Sequence, residues 1–142
     1  MPEIKALFWD VGGVLLSNAW DHTQRQQAIE KFGLEREEFS ERHELVFSSF
    51  ERGKISLNEY LDRTVFYRVQ PFTRDEFKNY MYALSIPDES ALAFARELAN
   101  SGKYLMGTIN NESRELNAYR IEKFGLRAIF RVDCDMAMTK DP

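Results

Sequence analysis

The spacing of apolar residues changes character along this chain. Ile4 to Trp9 is a short, bulky apolar run, which predicts a buried strand rather than a helix. The polar break Asp10-Val11-Gly12-Gly13 follows. Apolar residues then recur at helical spacing for about seventy residues. Asp21 is placed to cap a helix reaching Phe32, with Gly33 as its stop. A second helix is expected from Arg36 to Arg52, stopped at Gly53. Ser56-Leu57-Asn58-Glu59 is a capping box that opens a third helix reaching Tyr67. Thr73-Arg74-Asp75-Glu76 is another, opening a fourth that reaches Leu84. Pro71 separates these two, and Pro87 marks the next boundary.

Past Pro87 the pattern alternates. Glu89 to Asn100 reads as an amphipathic helix closed by Ser101-Gly102, and Tyr104 to Ile109 as a strand. Asn110-Asn111 turns the chain into a helix from Ser113 to Phe124, stopped by Gly125. A short strand is expected near Phe130 to Asp133. Strands joined by helices imply right-handed crossovers and a parallel sheet. The fold class is therefore α/β, a Rossmann-like, doubly wound three-layer core with an α-helical cap. The core is assigned to residues 1–15 and 89–142, and the cap to residues 16–88, lying over the strand tips. Ile-Glu-Lys-Phe-Gly-Leu occurs at both Ile29–Leu34 and Ile121–Leu126. The flanks differ and both copies end a helix, so the repeat is read as shared helix-stop chemistry.

Composition narrows the function classes. The 142 residues, 44% hydrophobic and 13% aromatic, suit a folded domain with a real core. A net charge of −4 provides no basic patch for nucleic acid. Cys134 is the single cysteine and cannot form an internal disulfide, which favours a reducing cytoplasm. No apolar run is long enough for a membrane span. The N-terminal apolar stretch is broken by Asp10 and lacks a small-residue cleavage site, unlike a signal peptide.

The candidate chemistry lies where the strands end. In open α/β sheets ligands bind beyond the carboxyl ends of the strands. Asp10 follows the first strand, Asn110-Asn111 the second, and Lys140 the third. A carboxylate, amide donors and a lysine together suit an anionic phosphoryl group. The donors and the cation would stabilise the equatorial oxygens while the carboxylate attacks in line. Gly12 and Gly13 let the backbone turn sharply and present N–H groups to an anion. The alternative is that Asp10 caps the next turn and the glycines merely form a loop.

Phe8-Trp9-Asp10-Val11-Gly12-Gly13-Val14-Leu15 resembles the first motif of the haloacid dehalogenase (HAD) superfamily of hydrolases, in the branch with a helical cap after the first strand. Glu51-Arg52-Gly53-Lys54-Ile55-Ser56 with Glu59-Tyr60 is similar to a recurring stretch of that cap. Leu105 to Asn111 falls at the second motif, and Lys140 with Pro142 resembles the third. The resemblance covers nearly the whole chain. It implies phosphomonoester hydrolysis of a small phosphorylated metabolite through an aspartyl-phosphate on Asp10. Gly12, Gly13, Asn110, Asn111 and Lys140 would hold the phosphoryl group. Mg²⁺ would be bound by the Asp10 carboxylate and the Gly12 carbonyl.

Three departures stand against that pattern. The second Asp that such phosphatases usually carry, two residues after the nucleophile, is Gly12 here, which weakens proton delivery. Asn110 stands where Ser or Thr is usual; Thr108 would be the hydroxyl in a shifted register but reads as a strand residue. The acidic fourth motif that binds Mg²⁺ is not in the sequence, so the core is expected to be C-terminally incomplete. Asp133 and Asp135 precede the lysine motif and read as a solvated loop rather than metal ligands. Without further strands the first strand becomes an apolar edge, for which a homodimer through that edge, an exchange of segments, or the chain being a piece of a longer protein is expected. Two other readings stay open: C–halogen hydrolysis, which needs neither the second Asp nor a metal, and a non-catalytic relative acting as a binding or assembly module.

The remaining candidates have plainer readings. His22 and His43 lie in cap helices without ligand-spaced partners and read as surface or packing residues. Cys134 reads as a buried small residue. Phe47, Phe50, Tyr60, Phe66, Tyr67, Tyr80 and Tyr82 read mainly as cap packing. Asn18 and Trp20 lie in the linker from core to cap, which the resemblance implies is where the substrate's leaving group is met. Arg63 and Arg68 read as solvated helix-face residues.

Overall fold

The computed structural model describes residues 2–110 and 112–135. Three strands, β1 (Ala6–Trp9), β2 (Leu105–Asn110) and β3 (Val132–Asp135), form a parallel sheet in the order β1-β2-β3. The first strand is shorter than its apolar run, because Ile4 lies outside the ladder and is 70% exposed. The last begins two residues later than expected. A short 3₁₀ turn at Leu126–Ala128 intervenes, and Phe130 enters the core instead of pairing.

Both crossovers step in one direction across the sheet, so right-handed connections place their helices on the same face. That face carries Leu7, Trp9 and Met106. They join one cluster with Leu92 and Ala95 of α5 (Glu89–Asn100), Ile121 of α6 (Arg114–Lys123), and Leu126 and Phe130. The opposite face is open among the described residues: Phe8, Leu105 and Ile109 are 48%, 45% and 53% exposed. The Phe8 ring lies flat over Gly107, where a Cβ would come within 2.6 Å of Phe8 Cε1. The described sheet is thus covered on one side only. The first strand is an edge, half-buried rather than buried, and the expected third layer is not found among these residues.

Between β1 and α5 lie α1 (His22–Phe32), α2 (Arg36–Glu51), α3 (Leu57–Thr64) and α4 (Arg74–Ala83). Asp21 caps α1 and Gly33 ends it in the left-handed conformation, while Thr73 and Glu76 complete a reciprocal box at α4. At α3 the box is half made. Ser56 accepts from Glu59 N, but the Glu59 carboxylate turns to Arg63 at 2.8 Å. That helix stops at Thr64, short of Tyr67, because the Phe66 amide falls back on the Leu61 carbonyl, which already holds the Val65 amide in the last helical bond.

These four helices pack around a second cluster that includes Trp20, Phe39, Phe50, Tyr60 and Phe77. Tyr60 is its polar centre. Its Oη accepts from Trp20 Nε1 at 2.8 Å and lies 2.7 Å from His43 Nδ1, while Phe50 stacks on its ring at 4.2 Å. Burial, and then the charge of Arg25, push the His43 pKa from 6.5 down to about 4. His22, by contrast, is exposed.

The two linkers between the helical unit and the sheet run side by side. Ser17 N donates to Ile86 O, Ser17 Oγ donates to Leu84 O, and Asp88 N donates to Leu15 O. Arg120 of α6 clasps both. Its side chain is fully buried; it donates to Ser17 O and Ser85 Oγ and pairs with Glu112 at 3.3 Å.

Two stability predictions follow from these buried charges. Between pH 6.5 and 4 the unfolded chain protonates His43 while the folded chain does not. His43's contribution is therefore full above pH 6.5 and is lost as pH falls toward 4, by on the order of 3 kcal/mol. Urea midpoints measured across that interval should fall less steeply in His43→Gln than in wild type. Arg120→Met should cost about 3–5 kcal/mol, because Glu112 keeps its burial and loses its cation. Adding Glu112→Gln should recover part of that loss in the same urea titrations.

Candidate active site

Asp10 is the first residue past β1, and its carboxylate is exposed at the strand tip rather than buried. Its Oδ1 accepts from Val11 N at 2.9 Å. The Val11 carbonyl then gathers the amides of Val14, Leu15 and Leu16 into a tight loop. Gly13 takes a φ of +77°, a conformation that costs other residues about 1–2 kcal/mol. Its N–H donates to Leu16 O at 2.7 Å. That amide is spent on the turn, and Gly13 does not line the cavity at Asp10. Gly13 shapes the turn beside the cavity.

Asp10 opens onto a cavity of about 330 Å³. Gly12, Asn110 and Glu112 line it from the sheet side, Asn18, Trp20 and Asp21 from the first linker, and Arg25, Phe47 and Glu51 from the helical unit. The register explains why the two strand tips meet. Trp9 pairs with Thr108, so Asp10 emerges level with the end of β2. Asn110 is buried and donates from Nδ2 to Asn117 Oδ1 of α6 at 3.1 Å. Its own Oδ1 is buried without a hydrogen-bond partner among the described residues. A buried acceptor in that state marks a place for a ligand or water to fill.

The linker wall is rigidly held. Trp20 has a φ of +67°, rare for a bulky residue, and its indole is anchored on Tyr60. Its carbonyl accepts from Arg25 Nη1 at 2.7 Å, and the Arg25 guanidinium lies over the Phe47 ring at 5.9 Å. Asp21 is committed to the α1 cap and to Asn18 Nδ2. Arg25 thus brings a cation into the cavity on a fixed backbone.

The structure brings together Asp10, Gly12 and Asn110 among the sequence candidates, with Asn18 and Trp20 beside them. Thr108 is elsewhere, bordering a separate cavity with Ile121 and Leu126. Asn111 and Lys140 lie outside the described residues, as do the side chains of Asp133, Cys134 and Asp135. Sequence reasoning passed over Arg25, Glu112 and Arg120. Arg120 did leave a signal: it falls on the stripe Leu116, Asn117, Arg120, Ile121 that α6 buries. A charged residue in a buried stripe needs a partner.

Among the described residues no group of three or more acidic, His or Cys side chains is arranged to hold a metal. The hard oxygen donors that do line the cavity beside Asp10 are the Gly12 backbone and carboxylates. Such donors suit Mg²⁺, which takes one or two carboxylates and completes its shell with water and phosphate. No described helix is long and apolar enough to cross a membrane.

No protein-family model matches the chain, and no curated protein matches it in sequence. Solved structures do match. A HAD family enzyme from Bacteroides thetaiotaomicron superposes with a TM-score of 0.76 at 18% identity, over 96% of this chain and 70% of that one. The same enzyme in complex with magnesium and inorganic phosphate gives a TM-score of 0.72 at 19% identity, over 97% of this chain and 73% of that one. A HAD-like family hydrolase from Porphyromonas gingivalis gives 0.65 at 16% identity, over 94% of this chain and 67% of that one. With its parallel sheet, the helices inserted after the first strand and an Asp at that strand's tip, the chain has the HAD-like fold.

Proposed function

We propose that the chain is a HAD-type hydrolase that cleaves small phosphomonoesters through an aspartyl-phosphate on Asp10. The observation that carries this reading is the meeting of an exposed strand-tip carboxylate and the buried Asn110 amide in one cavity. An Asp10 oxygen attacks phosphorus in line with the leaving ester oxygen. The second N–H of the Asn110 amide can stabilise a phosphoryl oxygen, and Arg25 offers a cation from the cap side. Asn111 and Lys140 complete the phosphoryl site in this reading. The Asp10 carboxylate and the Gly12 carbonyl would hold Mg²⁺, which when bound offsets charge on the phosphoryl oxygens. The magnesium and phosphate bound to the Bacteroides enzyme support the choice of ligand. Helices α1 to α4 act as the cap, and the net charge of −4 leaves nucleic acid a poor substrate.

The edge position of β1 beside the open apolar face favours a second copy of the chain as partner. Two β1 edges related by a two-fold axis would pair antiparallel and extend the sheet.

Phosphate release from a panel of small phosphomonoesters tests the activity. It should require Mg²⁺, stop with chelator, and fall by at least about 10³-fold in Asp10→Asn. Release of halide from 2-haloacids that survives chelation would favour the C–halogen reading instead. Absence of both from folded protein would favour the non-catalytic one. For the partner, sedimentation over a hundredfold dilution should show a dimer that Phe8→Lys weakens; a monomer throughout would exclude pairing through this edge.

A further inference from the structure

The geometry points to Glu112 as the proton acceptor of the second half-reaction, seated beside the space that a side chain at position 12 would enter. This rests on the aspartyl-phosphate reading above. A Cβ built on Gly12 would meet Asn18 Oδ1 at 3.3 Å and Glu112 Oε1 at 3.6 Å. The space that an Asp two residues after the nucleophile would enter is therefore bounded by a carboxylate delivered from another loop. Glu112 lines the same cavity as Asp10. It is only 7% exposed and held by the Arg120 guanidinium at 3.3 Å. The other carboxylates of the cavity are less suited. Asp21 caps α1 with one oxygen and accepts from Asn18 with the other, while Glu51 comes from the far end of α2 and is not among the atoms nearest position 12.

The step balances without any further reagent. A water oxygen forms a bond to phosphorus as the bond from phosphorus to the Asp10 oxygen breaks. The electron pair of the broken bond returns to the Asp10 carboxylate. The proton lost by the water passes to a Glu112 oxygen and leaves to solvent after phosphate departs. Arg120 holds the acceptor through Nη2, while Nη2 and Nη1 also donate to Ser17 O and Ser85 Oγ in the linkers. Gly12 is then the residue that leaves room for this arrangement. An Asp there would press on Asn18 and set a second negative charge against Glu112.

Rapid-quench kinetics with p-nitrophenyl phosphate and Mg²⁺ test the assignment, because p-nitrophenolate leaves without needing a proton. In Glu112→Gln the first turnover should persist as a burst of about one p-nitrophenol per chain. Steady-state phosphate release should drop about 10²-fold. The aspartyl-phosphate should accumulate and be recovered on Asp10 after acid quench. Glu112→Asp keeps a charge opposite Arg120 and should accumulate less of it; this variant also serves if Glu112→Gln loses its native circular dichroism. Burst and steady state slowed equally, with no trapped intermediate in either variant, would overturn the assignment while leaving the phosphatase reading in place. No p-nitrophenol from wild type would overturn that reading, and this inference with it.

Discussion

A guanidinium buried completely inside a small domain has to be paired and hydrogen-bonded, and Arg120 draws its partners from three separate segments. It comes from α6, pairs with Glu112 past the tip of β2, and donates to Ser17 and Ser85 in the two linkers. Burial disfavours the cation, and the Glu112 charge counters that effect. Because one side chain serves all these partners, the linkers, the Glu112 loop and α6 cannot shift independently. The cavity wall at Glu112 and the entry to the helical unit are fixed by the same contact.

The opposite wall depends on a different constraint. Trp20 accepts a left-handed backbone because its indole is tied to Tyr60 and Tyr60 to His43 within the helical cluster. The strained carbonyl that results holds Arg25. Strain at the linker is thus supported by aromatic packing, and its consequence is a cation among the residues that line the cavity. The sheet sets the third side. Parallel pairing of β1 with β2 brings Asp10 and Asn110 out at one level, as strand tips in such sheets do.

Much of the local structure was legible in the chain. The helix starts at Asp21, Ser56, Thr73 and Ser113 are written in side chains that bond the adjacent backbone, an interaction within a few residues. The stop at Gly33 is equally local. Boundaries set by competition were less legible. Glu59 had both its own helix end and Arg63 within reach, and it chose the ion pair. Phe130 has strand propensity, yet core packing behind the 3₁₀ turn claimed it.

The sequence by itself determined the order of elements, the parallel sheet and the candidacy of Asp10, Gly12 and Asn110, because periodicity, capping and strand-end placement act over short distances. Only the tertiary structure decided that Gly13 spends its amide on Leu16, that Arg25 enters the cavity, and that Glu112 stands beside Gly12. Glu112 and Gly12 are a hundred positions apart in the chain. They line one cavity because the two linkers and the loop past the β2 tip converge on the buried Arg120, a long-range condition that no local pattern encodes.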